Sequence, residues 1–336
     1  MKNLAALAIG ALCISSTLNV QETPLPIIDM HLHALPASVN GPPPIAICAP
    51  PIAWPARDPA KPWAAIFLEE LKNPKCENPI WGPVTDKEVM DQTLDVLQKY
   101  NIYGVTSGSL VDEYMNSGGE RILPGLQFSF FNKDLDSDKV KTELSSGKYK
   151  VFGEVGIQYN GVSPSDSIFE PYAKIAEELD IPMGIHVGTG PPGAAYMPGL
   201  QNYRAKLHSP LVVEELLIRH PKLRIYLMHA GYPMIDDLLA VLWTHPQVYV
   251  DVGVICYAIP RPAFHSYLKS IVEAGYVKRV MFGSDQMNWP GTIEVGINSI
   301  YTADFLTEEQ KRDILYYNAA RFLRLSKEEM DRHHGR

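Results

Sequence analysis

Two histidines one residue apart close an apolar run near the start of the sequence, Ile27-Ile28-Asp29-Met30-His31-Leu32-His33. In an extended strand residues i and i+2 share a face, so the alternation predicts Asp29, His31 and His33 pointing together, with both imidazoles at the outgoing end. Paired imidazoles so placed are a metal-ligand geometry. Four further apolar runs end in a ligand-type residue beside glycine: Val151-Phe152-Gly153-Glu154, Met183-Gly184-Ile185-His186, Tyr226-Leu227-Met228-His229 and Met281-Phe282-Gly283-Ser284-Asp285. Burying such groups unpaired is costly, so a metal or mutual partners are required. Imidazole and carboxylate donors without cysteine suit zinc first, with manganese, iron or nickel also accommodated.

Remote residues can share one centre only if the elements carrying them converge. From Asp86 onward, amphipathic helical patterns alternate with short runs fit for buried strands. Strands are predicted over 27–33, 103–109, 122–128, 151–156, 183–188, 223–229, 248–254 and 279–284. Helices are predicted over 86–100, 138–146, 169–179, 234–244 and 262–274, with another from Ser209 as N-cap and Pro210 at its first position to about Arg219. A last helical region, 296–325, breaks near Leu306, where Thr307 and Gln310 form a capping-box pattern. Eight strands with helices between them predict an α/β chain folded as a (β/α)8 TIM barrel, in which the outgoing strand ends meet on one face. An open doubly wound sheet is the alternative, but no Gly-x-Gly-x-x-Gly turn follows the first strand.

The stretch 34–83 is crowded with proline and carries Trp54, Trp63 and Trp81, so it reads as a lid-like insertion with at most a short helix around 63–71. The barrel domain is taken as 26–325, followed by a tail, 326–336. Lys2 and the apolar run Leu4 to Ile14 have the form of a secretory signal too short to span a bilayer. This predicts loss of about the first 20 residues and a periplasmic or secreted chain with no membrane span. Cys48 and Cys76 both lie in the insertion. A bridge between them would contribute on the order of 3 kcal/mol, and unpaired thiols are the alternative. With 30 Lys and Arg against 38 Asp and Glu, a net charge of −8 argues against nucleic acid or an anionic membrane as partner. A small-molecule substrate is expected; a homo-oligomer is compatible with the sequence but not specified by it.

The Ile-Ile-Asp-x-His-x-His opening, Gly153-Glu154-Val155-Gly156, Ile185-His186-Val187-Gly188, Met228-His229-Ala230-Gly231 and Phe282-Gly283-Ser284-Asp285 together resemble the amidohydrolase superfamily, most closely its amidohydrolase-related branch. The resemblance runs from Pro26 to about Leu325. It implies a (β/α)8 barrel holding one or two divalent ions, with His31, His33 and Asp285 at the buried metal. His186 and His229 match positions that complete a mononuclear site or hold a second ion, and Glu154 stands where relatives carry a bridging lysine or glutamate. A bound ion would generate hydroxide from water near neutral pH, with Asp285 as proton shuttle and His229 as ligand or as hydrogen-bond donor to the substrate oxygen. Asp29 would orient a ligand imidazole or satisfy backbone groups in the barrel floor.

Other polar residues carry weaker expectations. Arg204 and His208 follow the fifth strand, and Arg261 and Tyr257 the seventh. Together with Tyr159, Tyr196 and Trp289 they are candidates for substrate contacts or for ordinary surface packing. Helix-terminus charge accounts for His220 and His245, His333 and His334 read as a loose tail, and the parity of Asp251 is open. The leading function is a metal-dependent hydrolase of an ester, lactone or amide. The alternative is a non-oxidative decarboxylase or hydratase acting on a small aromatic or related acid, and a third reading is a metal-containing binding protein without turnover.

Overall fold

Apolar runs rich in valine, isoleucine and aromatic residues form eight strands, since such side chains pack well on a pleated surface covered on both faces. They are β1 Ile27–His33, β2 Ile102–Ser107, β3 Ile122–Phe128, β4 Val151–Val155, β5 Met183–His186, β6 Ile225–Met228, β7 Tyr249–Asp251 and β8 Val280–Met281. This computed structural model describes residues 24–51 and 53–336, so the expected signal segment lies outside the described residues. Spatial order equals chain order and every neighbouring pair is parallel. The segment after β8 returns to β1, where Met30 N–H donates to Phe282 O at 2.9 Å and Asp285 N–H to His31 O at 2.6 Å. The architecture is a (β/α)8 barrel, with its helices outside the strands.

Apolar contacts form two layers. The outer one joins strand residues such as Phe152, Ile185 and Val250 to the surrounding helices. The inner one, with Ile28, Met30, Tyr226 and Met281, is plugged from below by Tyr316 and Phe322 near the C-terminus. A sealed floor leaves the outgoing end as the place where polar groups can gather. Caps fix the helix starts: Thr85 and Glu88 form a capping box on Asp86–Lys99, and Thr307 and Gln310 form the expected one on Glu308–Arg312.

Several elements differ from the sequence reading. A helix, Val111–Gly118, fills the gap between β2 and β3; at two turns it is too short to stand alone, and burial of Val111 and Tyr114 supports it. β7 and β8 are shorter than predicted, because the chain leaves the sheet early to turn its polar residues inward. The tail is not loose. Ser326 and Glu329 form a capping box on the helix Lys327–His333, and the His333 ring stacks on Tyr103 at 3.5 Å and meets Tyr316 Oη at 3.0 Å through Nδ1.

The insertion folds into one helix, Trp63–Lys72, and a two-residue antiparallel pairing of Ala46–Ile47 with Ile80–Trp81. Cys48 and Cys76 are bridged, which decides between the two readings of that pair. Trp63 Nε1 donates to Pro192 O at 2.7 Å, tying the insertion helix to the loop after β5.

Candidate metal centre

At the outgoing end β1, β4, β5, β6 and the segment after β8 deliver His31, His33, Glu154, His186, His229 and Asp285 to one place. Asp285 Oδ1 lies 2.9 Å from His33 Nε2 and 3.8 Å from His31 Nε2. Glu154 spans the group: its Oε2 is 3.6 Å from His33 Nε2 and 3.9 Å from His31 Nε2, and its Oε1 is 2.7 Å from His186 Nδ1. His229 Nε2 sits 3.0 Å from His186 Nδ1. Three overlapping triples have donor atoms close enough to share an ion: His31 with His33 and Asp285, Glu154 with His186 and His229, and His31 with His229 and Asp251.

Local backbone makes this convergence possible. His229 and Asp285 adopt positive φ values of 60° and 52°, and Val254 one of 54°, so the chain turns sharply where each strand ends. Such conformations are unfavourable for residues with a Cβ and persist only where surroundings enforce them. Glycine at 253 and 283 answers a close approach. A Cβ at Gly253 would meet His31 Nδ1 at 2.8 Å, and one at Gly283 would meet His31 Cβ at 2.9 Å. The recurrence of glycine beside ligand-type residues in the sequence has this steric cause at these two positions.

Asp29 does not join the cluster. β1 shifts register between Asp29 and Leu32 relative to β2, so strict alternation fails there. Asp29 Oδ1 instead accepts from the backbone N–H of His31 and of Ser284, and burial pushes its carboxyl up to about 6. The buried acid beside His31 is Asp251, whose Oδ2 is 3.3 Å from His31 Nδ1 while its Oδ1 accepts from His229 N–H and Gly253 N–H. Sequence reasoning left Asp251 open, although Val250-Asp251-Val252-Gly253 repeats the pattern of an acid beside glycine at a strand end.

The electrostatics suit cation ligation. Burial opposes charge on Glu154, yet His186 and His31 hold its carboxyl well below the usual range. Burial likewise opposes charge on His31, but Asp285 and Asp251 overturn this and raise it well above its ordinary value. Burial and then the charge of His186 push His229 down to about 4, leaving a neutral imidazole near pH 7. Its Nδ1 lies 2.9 Å from Gly253 O, a bond that makes Nδ1 the protonated nitrogen and leaves the Nε2 lone pair directed at the His186 side of the cluster. Both ring nitrogens of His31, Oδ1 of Asp285 and Oδ2 of Asp251 are buried without a hydrogen-bond partner. Orphaned donors and acceptors this close together are expensive in a protein interior unless a cation sits among them, so the residues present fit a divalent ion.

A cavity of about 760 Å³ opens above the cluster, with His33, Glu154, His186, His229 and Asp285 on its floor. Of the weaker candidates, Trp289 and Tyr159 line it, and Tyr159 Oη is 3.1 Å from His186 Nε2. Tyr257 lies behind the floor, donating to Asp285 O at 2.7 Å. His208 is buried behind His186, packed on Tyr203 at 4.5 Å, and burial with the charges of His186 and His229 pushes it down to about 2. Arg204 is exposed and donates to the carbonyls of Gln201 and Tyr203, because its loop turns it outward. Arg261 is spent on Thr302 and Val295. Arg204, Tyr257 and His208 are therefore not brought to the cavity wall. His220 and His245 end helices on the far face, the former between Glu170 and Glu177.

A (β/α)8 barrel with imidazole and carboxylate donors gathered at its outgoing end defines a class of metal-dependent barrel enzymes. The family model described as amidohydrolase matches residues 28–325, and the chain belongs to that family. Among curated proteins, protein fluG of Emericella nidulans is 22% identical over 135 residues, a match covering 36% of this chain and only 16% of that relative's length. Among solved structures, a 5-carboxyvanillate decarboxylase of Novosphingobium aromaticivorans, complexed with manganese, superposes with a TM-score of 0.56 at 14% identity, over 91% of this chain and 97% of the other. A probable 2-pyrone-4,6-dicarboxylic acid hydrolase of Acinetobacter baumannii gives 0.55 at 13% identity, over 89% and 99%. At such identities the likeness carries the fold. The chain is thus a member of the amidohydrolase family whose barrel end gathers donors that fit a divalent ion.

Proposed function

We propose that the protein is a hydrolase that cleaves an ester, lactone or amide of a small substrate, with zinc as the preferred ion. His31, His33 and Asp285 would hold one ion, and Glu154, His186 and His229 offer a second position. A divalent ion bound here supplies Lewis acidity, lowering the pKa of water towards ~7 and polarising the bond under attack. The observation that carries the reading is Asp285: a carboxylate on the cavity floor whose buried Oδ1 has no hydrogen-bond partner and whose carbonyl is pinned by Tyr257. A fixed carboxylate that would hold the ion through Oδ1 keeps its second oxygen to take a proton from attacking water and return it to the leaving group. Asp251 holds the His31 side of the cluster, and Tyr159 orients the His186 ring from its far nitrogen. Export of the mature chain is part of the proposal, supported by the N-terminal pattern and by the Cys48–Cys76 bridge, since disulfides persist in oxidising compartments.

The test combines elemental analysis with a panel of neutral esters, lactones and amides and a set of aromatic acids. Hydrolysis is expected, and Asp285→Asn should lower kcat by roughly 10²–10⁴-fold with metal still bound. Release of carbon dioxide from an aromatic acid without net addition of water would overturn the reading in favour of the lyase. Two ions per chain would make Glu154 a bridging ligand; one would leave it as the acceptor for His186. N-terminal sequencing of the chain recovered from its native cell envelope tests export.

A further inference from the structure

The cavity above the cluster is built from two sources that meet over the floor. The insertion supplies Leu35, Ile47, Trp54, Phe67 and Leu71. The segment after β7 supplies Val254, Ile255, Ala258 and Ile259 on another side. Trp54 and Phe67 stack at 6.0 Å with planes 20° apart, and Trp54 is 43% exposed, so this aromatic pair stands at the rim. Among the described residues that line the cavity there is no lysine and no arginine.

The basic side chains on neighbouring loops are committed elsewhere. Arg57 lies over the Tyr196 ring at 4.3 Å and donates to Lys61 O; Arg204 and Arg261 are engaged as described above. The polar groups on the wall are partly spent as well. Asn40 Nδ2 donates to Asn288 Oδ1 at 2.8 Å, and Tyr203 Oη accepts from Gly190 N–H at 2.8 Å. On the floor stand two carboxylates, Glu154 and Asp285. An anion held away from the metal would thus lose its hydration to apolar walls and gain no basic partner, which is costly on both counts.

We infer that the enzyme takes a substrate whose body, away from the reacting carbonyl, is uncharged and apolar, an aryl or alkyl ester or lactone, and that it discriminates against a substrate carrying a remote carboxylate. The bond cleaved rests on the hydrolytic reading above; the binding preference does not. Trp54 and Ile259 are the specificity-determining positions, one on each wall.

The test uses the metal-loaded enzyme and two matched pairs. Phenyl butyrate and its para-carboxylate report turnover; 4-phenylbutan-2-one and its para-carboxylate, which cannot be hydrolysed, report binding by calorimetry. The neutral member of each pair is expected to win by at least about tenfold, in kcat/KM and in affinity, a factor worth about 1.4 kcal/mol. In Trp54→Arg the ratio of neutral to carboxylate substrate, in kcat/KM and in affinity, should shrink severalfold or invert; Ile259→Arg gives the same readout from the opposite wall. Equal or better handling of the carboxylates, or binding of neither ketone, overturns the inference. If neither these esters nor any lactone or amide of the panel is cleaved but the neutral ketone still binds preferentially, the hydrolytic reading fails and the inference stands.

Discussion

Asp285 and Asp251 are both buried aspartates at strand ends, and their surroundings give them different work. Asp285 faces the cavity with an oxygen free; Asp251 faces His31 Nδ1 at 3.3 Å, and its other oxygen accepts two backbone N–H groups. Asp251 therefore acts through His31. Replacing it by Asn keeps the volume and removes the charge that raises the basicity of that imidazole. Metal affinity, read by competition with a chelator, should fall about 10–100-fold, while kcat at saturating metal recovers most of its value. A loss of kcat that excess metal does not restore would show that Asp251 takes part in the chemistry itself.

Among the elements, the insertion and the C-terminal helix were the least readable in the sequence, and each has a measurable consequence. The Cys48–Cys76 bridge spans 28 positions, a loop whose closure contributes about 3–4 kcal/mol in the chain-entropy account. With both cysteines changed to serine, the insertion should be cut faster in limited proteolysis and KM for an apolar substrate should rise, with kcat little changed, because this segment supplies a cavity wall but no floor ligand. The helix Lys327–His333 is held by its last residue, stacked on Tyr103 and bonded to Tyr316. His333→Ala should cost about 1–3 kcal/mol, seen as a lower urea midpoint with unchanged activity. A capping-box pattern at Ser326 and Glu329 was present in the sequence and marks this helix; without an apolar stripe to follow, its docking surface was invisible.

For the whole molecule, burial of neutral histidines sets how the metal-free protein responds to acid. Burial pushes His208 down to about 2, and His229 and His333 each down to about 4. In the unfolded chain these groups titrate near ~6.5, so as pH falls from there towards 4 the unfolded state binds protons that the folded state refuses. Each then removes about 1.4 kcal/mol of stability per pH unit. Asp29 works in the opposite sense: raised to about 6, it holds a proton in the folded state that the unfolded chain releases, so its contribution improves as pH drops from 6 towards 3.8. Chelator-treated protein should accordingly lose stability on acidification between pH 6 and 4.5, the three histidines outweighing Asp29, measured by denaturant titration. A flat or rising profile would mean that these histidines are not buried in neutral form.

The ligand-type residues were legible because a His, Glu or Asp closing an apolar run is chemically out of place, and because eight such runs separated by helical patterns call for a closed parallel barrel. Both signals are local, so a single sequence carries them. What only the tertiary structure decided depends on geometry that residue type does not encode. The register shift in β1 turned Asp29 away from the face that its alternation with His31 and His33 announced, and Asp251, in an apolar run with no polar face to fix its parity, faces His31 instead. Loop paths sent Arg204 outward and brought Trp54 and Phe67 over the cavity, and a loop's direction follows from what it packs against. The short helix Val111–Gly118 likewise exists because the barrel wall buries Val111 and Tyr114, a contribution that local propensity cannot supply.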